Sequence, residues 1–155
     1  MAKEKGKRKP MGKWRRIIIA SIIFMVIAQA VHTLGSFATM DFYTNPEYFH
    51  LWSEIMMPTG GAPGMEFFAV SVLFNFITAL ILTLFYVLIN KSVPGKFSFM
   101  KGINYGILLF IITAVPTFFS MSLLLAVPVL LSISWMIEAL IIDILGGIVI
   151  ARFIK

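Results

Sequence analysis

The sequence predicts an all-α integral membrane protein: a four-transmembrane-helix bundle with a short external interfacial helix in its first loop. Three observations carry this prediction. The 155-residue chain is 59% apolar, with a mean hydropathy of +0.94, where a soluble domain is about 45–50% apolar. Its apolar residues gather in four runs, each near the ~20 residues that cross a hydrocarbon core of ~30 Å. Its thirteen Lys and Arg residues fall in only three places. Eight precede the first run; Lys91, Lys96 and Lys101 separate the second from the third; Arg152 and Lys155 follow the fourth.

Positive charge collects on the cytoplasmic side of membrane proteins. The pattern therefore predicts cytoplasmic termini and a cytoplasmic 91–101 connection. Residues 36–66 and the 126–131 hairpin then face the other side. The bias suits a bacterial or archaeal inner membrane. A basic cytoplasmic tail, residues 1–16, precedes one membrane domain, residues 17–155. The tail's composition matches anionic lipid headgroups at the bilayer surface, and no recognised nucleic-acid-binding fold accompanies it, so no nucleic-acid partner is expected. The chain has no cysteine, which excludes disulfides, thiolate metal sites and cysteine nucleophiles.

The first span, about residues 17–35, opens on Ile17, Ile18 and Ile19 and carries Gln29 and His32 near its outer end. Ala28-Gln29-Ala30 behind a basic start imitates a signal-peptide cleavage site. Three further spans follow, and the segment is expected to stay as a span. Residues 36–66 form the long external loop. Asn45-Pro46 marks a helix start, an N-cap residue followed by proline at the first helical position. It predicts a short helix from Pro46 to about Met57. That helix is too short to span, and Tyr48, Phe49 and Trp52 suit it to the headgroup interface. The stretch from Pro58 to Gly64 ends it.

The second span, about 67–89, has Ser71, Asn75, Thr78 and Thr83 as its polar positions. Pro94-Gly95 turns the chain into the third span, about 102–125. Pro116 is the expected helix break there, because its missing N–H leaves the Ile112 carbonyl without a partner. Ala126-Val127-Pro128 turns the chain again, and the fourth span covers about 131–153. Gly102 with Gly106, and Gly147 with Ala151, have the small-xxx-small spacing at which membrane helices approach closely.

The last span holds two acids, Glu138 and Asp143. Carboxyl groups inside a membrane are costly and mark functional sites by default. At about 1.5 Å per residue, Glu138 and Asn75 each lie roughly 12 Å from the outer edge, and His32 and Pro116 lie roughly 8 Å from it. One polar or helix-breaking feature from each span thus falls in one outer layer. His32, Asn75 and Glu138 are the candidate intramembrane polar site, able to relay a proton or hold a cation or polar solute. Paired with His32, Glu138 would keep its charge; unpaired, it would be protonated. Asp143 lies about 140° further round the helix. It is expected to be a structural acid, paired with Tyr105, Asn104 or a snorkelling Arg15, Arg16 or Lys101.

In the external loop, Glu47, His50 and Glu54 follow one another at helical spacing and could present a hard metal or zinc with ligands. No resident cofactor is otherwise predicted. The chain lacks H-E-x-x-H, G-x-S-x-G and P-loop motifs, which leans away from an enzyme. The leading expectation is a non-enzymatic accessory subunit or oligomeric scaffold of a membrane complex, in contact with the bilayer and with copies of itself or other membrane subunits. The alternatives are a small oligomeric transporter or channel for protons, cations or a polar solute, using Glu138 with His32 and Asn75, and a metal-binding or enzymatic role at the external loop.

Overall fold

The computed structural model describes residues 12–58 and 63–154. The basic residues ahead of Gly12 and the lipid contact expected of them lie outside that range. So do Lys155 and the middle of the 58–64 break.

All four expected spans form as helices, each slightly longer than its apolar run. They are α1 (Lys13–Ala38), α3 (Met65–Ile89), α4 (Ser98–Leu124) and α5 (Val129–Phe153), with a single turn, α2 (Met40–Thr44), after α1. All four long helices are long and apolar enough to cross a membrane. A 25-residue helix such as α5 measures roughly 37 Å, more than a hydrocarbon core needs. Among the described residues there are no strands. The bundle has a loop end, carrying residues 39–58 and the α4–α5 turn, and a turn end, carrying the α3–α4 turn. Every described Lys and Arg sits at the turn end, and Asp41, Glu47, Glu54 and Glu66 sit at the loop end.

α1 and α5 are the central pair. α3 packs on the outside of α1 and α4 on the outside of α5, so the backbones of α3 and α4 are not packed against each other. The α4–α5 seam is made backbone to backbone. A side chain added at Gly102 would meet the backbone of Gly147 and Ile148, and one at Gly106 the backbone of Asp143 and Ile144. Both small-residue pairs read from the sequence lie in this seam, with Ala151 buried beside them.

The turn-end half is filled. Phe24 lays its ring on Gly146. Thr83 donates to the Ala79 carbonyl at 2.7 Å, with Ser21 Oγ 3.1 Å from its hydroxyl, which ties α3 to α1. Tyr105 of α4 donates to the Leu82 carbonyl of α3 and sets its ring edge-on to Tyr86, centroids 4.8 Å apart. The turn below is pinned by Lys101 donating to the Asn90 carbonyl and Asn104 to that of Pro94. Gly95 takes a φ of 142° there, against the Lys101 backbone, where only glycine fits without strain.

Two expectations about elements need correction. The loop helix starts where Asn45-Pro46 predicts, with the Asn45 side chain accepting from the Glu47 N–H. It is a 3-10 helix, Pro46–Leu51, and stops well short of Met57. Runs of 3-10 geometry are short, and Trp52 leaves the helix direction to pack on Tyr43 (centroids 4.9 Å) and Trp135 (6.4 Å). Ser53 then turns the chain by accepting from Met56 and Met57. Pro116 does not break α4, which continues to Leu124. One missing intrahelical bond is tolerated within a helix whose flanking turns are intact. Thr113 and Thr117 add side-chain bonds to the Leu109 and Thr113 carbonyls on either side.

Candidate functional site: a loop-end cavity above Asp143

The helix order leaves a void. In the turn-end half, the Tyr105 contact closes the space between α3 and α4. In the loop-end half no hydrogen bond joins them among the described residues, and a cavity of about 450 Å³, lined by both, occupies the interior. Each long helix lines it: Phe24, Ala28 and His32 from α1; Asn75, Thr78 and Leu82 from α3; Thr113, Thr117, Phe118 and Met121 from α4; Ser132, Trp135, Met136, Ala139, Ile142 and Asp143 from α5. The volume falls within the ~300–1,000 Å³ of small-molecule sites.

Asp143 is the deepest α5 residue in the lining, roughly 20 Å along the helix from its loop end. It is 6% exposed. None of the partners expected for it engages it. Tyr105 donates to Leu82, Asn104 to Pro94 and Lys101 to Asn90, and no ion pair to Asp143 forms among the described residues. The reason is the glycine seam. Gly106 lets α4 rest directly on the Asp143 backbone, so the neighbouring polar side chains of α4 pass to either side and the carboxyl group is left at the cavity floor. Ser132 Oγ, near the rim, is also buried without a hydrogen-bond partner.

Glu138 faces a different neighbour. Its Oε2 lies 2.9 Å from His32 Nδ1 on α1, an ion pair whenever His32 is protonated. Oε1 is 3.4 Å from the Ser134 hydroxyl. The carboxylate lies across Gly35, one turn beyond His32, where any side chain would collide with it. Sequence reasoning paired His32 with Glu138 by depth but missed Gly35, although His32 and Gly35 at i, i+3 share a helix face. Asn75 does not join the pair. It donates to Gln29 Oε1 at 3.1 Å, which also accepts from Ser71 at 3.0 Å. Gln29 is thus a further member of the polar layer that sequence reasoning left aside.

Asn75 and His32 occupy a strategic position all the same. Both line the central cavity and also a second cleft of about 640 Å³, between α1 and α3 beneath the loop. The His32 side chain is 47% exposed, whereas that of Glu138 is 9% exposed. His32 therefore stands between the two spaces with Glu138 behind it.

The loop roofs α5. Tyr43 and Met57 are buried with Leu131, and Trp135 donates its indole N–H to the Tyr43 hydroxyl at 2.9 Å. Burial pushes the Tyr43 phenol above its usual range. The metal arrangement expected of this loop does not assemble. Ending the 3-10 helix at Leu51 takes Glu54 off the face of Glu47 and His50, and no three His, Asp or Glu gather at metal-binding distance among the described residues. Comparison with protein-family models, curated proteins and solved structures finds no match to this chain.

Proposed function

We propose that this is a solute-binding integral membrane protein that admits a small molecule from the external side into the cavity above Asp143. Its orientation follows from charge: the turn end, with every described Lys and Arg, is cytoplasmic. One observation carries the reading. A cavity of ligand size ends on a buried carboxyl group that no other described residue partners. Intramembrane acids that serve only as helix glue are hydrogen-bonded across a helix pair, as Glu138 is to His32. Asp143 makes no such bond among the described residues, so glue accounts for one acid and leaves the other for a ligand. Carriage onward to the cytoplasm would require the Gly102–Gly147 seam and the Tyr105 contact to part, and these are the features that separate the cavity from the turn end.

The absence of cysteine makes the test direct. Ala139→Cys and Thr78→Cys, on opposite walls of the cavity, should react in sealed vesicles with a charged, membrane-impermeant thiol reagent added on the loop side. Ile150→Cys, buried in the filled half, should not. Protection of both wall positions from the loop side sinks the proposal.

The lack of backbone packing between α3 and α4 also favours a second reading, an accessory subunit whose partner supplies a helix to that gap. Purification in mild detergent separates the two: a stoichiometric partner supports the subunit, and a lone homogeneous species supports the solute-binding protein.

A further inference from the structure

We infer that the ligand of this cavity is an amphiphilic organic monocation, with its amine or quaternary ammonium at Asp143 and an apolar body lying toward the loop end. The inference rests on the cavity being a ligand site, and elimination by chemistry leads to it. An anion is excluded because, among the described residues, the charged group at the floor is an acid and no Lys or Arg lines the cavity. A bare divalent cation needs six or more oxygen ligands. Asp143 offers one carboxyl group, and Ser132 lies eleven residues, roughly 16 Å, toward the rim. A strongly polar solute needs donors and acceptors along its length. Most polar groups of the wall are already engaged: Thr113 and Thr117 donate to carbonyls of their own helix, Asn75 donates to Gln29 and His32 meets Glu138, which leaves the Thr78 and Ser132 hydroxyls.

The rest of the wall is mostly apolar, with Phe24, Leu82, Phe118, Met121, Trp135 and Met136 as its large side chains. Apolar and aromatic side chains around one carboxylate are the complement of a cation carried on an apolar body. Aromatic faces add to the attraction for a desolvated ammonium. The unpacked gap between the α3 and α4 backbones fits as well, because it would let an amphiphile enter from the outer part of the bilayer without crossing the loop. The charge also fits the energetics of the empty site. A carboxylate without donors in apolar surroundings is costly, and a cationic nitrogen in contact with it relieves that cost.

The probe pair is benzyltrimethylammonium and its neutral isostere 2,2-dimethylpropylbenzene, titrated into the full chain in detergent micelles and followed by calorimetry. The expected result is saturable binding of the cation at one site per chain, weakened at least about tenfold by Asp143→Asn. The neutral isostere should bind wild type and Asp143→Asn alike. Ala114 also belongs to the α4 wall; Ala114→Phe fills the cavity and keeps the acid, so it should remove binding of both probes, and it also serves if Asp143→Asn does not fold. No saturable cation binding, or binding equal in wild type and Asp143→Asn, overturns the inference. Binding of the neutral isostere alone overturns the cationic ligand while leaving the cavity as a ligand site. Cavity cysteines that fail to label overturn the ligand site itself.

Discussion

The backbone of Gly106 on α4 lies directly against the backbone of Asp143 on α5. This contact fixes α5 close to α4 at mid-bundle and leaves the Asp143 carboxyl group at the cavity floor. Only a residue without a side chain permits it, since the atoms a Cβ would meet are backbone and cannot swing away. Gly106→Val should therefore separate α4 from α5 and cost about 1–3 kcal/mol, the usual penalty of overpacking. A lowered midpoint of thermal unfolding in detergent would show it. An unchanged midpoint would mean that the seam is looser than described.

His32 and Glu138 make a second prediction, separable from the first. Their hydrogen bond at 2.9 Å joins the central helices near the loop end. A double-mutant cycle with His32→Ala and Glu138→Gln should give a coupling of about 1–2 kcal/mol, at the upper end of polar contacts measured between membrane helices. Gly35→Val should mimic Glu138→Gln in stability, because its side chain would displace the carboxylate from His32. A coupling near zero would remove the pair as a tie between α1 and α5.

The roof over α5 depends on pH through Tyr43. Its phenol is raised above 10.0 because burial disfavours the phenolate. A group whose pKa is higher folded than unfolded contributes stability that is full below the unfolded value and is lost as pH rises through the folded one. Roof packing should thus hold at pH 7–9 and weaken above about pH 10, seen as a change in Trp135 emission. Tyr43→Phe should abolish that transition and, by leaving the Trp135 N–H unpaired, cost about 1 kcal/mol at neutral pH.

Much of this fold is legible in the sequence because hydropathy and length decide spans, and because Asn45-Pro46 is a strong local start signal. The Gly102/Gly106 and Gly147/Ala151 spacings likewise point to the seam they form. The site was less legible for physical reasons. All four helices are apolar around most of their circumference, so no stripe tells which faces meet, and the order α3–α1–α5–α4 emerges only from packing. That order decides which acid sees a neighbour and which sees a void. Depth counting brought Glu138 to His32 correctly. It could not show that the glycine seam would carry Asn104 and Tyr105 past Asp143. The 3-10 helix ends early because Trp52 finds Tyr43 and Trp135, partners far along the chain that local spacing does not reveal.

The most direct test of the account places the reporter at the cavity floor itself. Asp143→Cys, in sealed vesicles of known orientation, should react with a positively charged methanethiosulfonate added from the loop side, and should be shielded from the same reagent added from the turn side by Tyr105 and the Gly102–Gly147 seam. Reaction from the turn side alone, or from neither side, would contradict a cavity that opens outward and ends at Asp143.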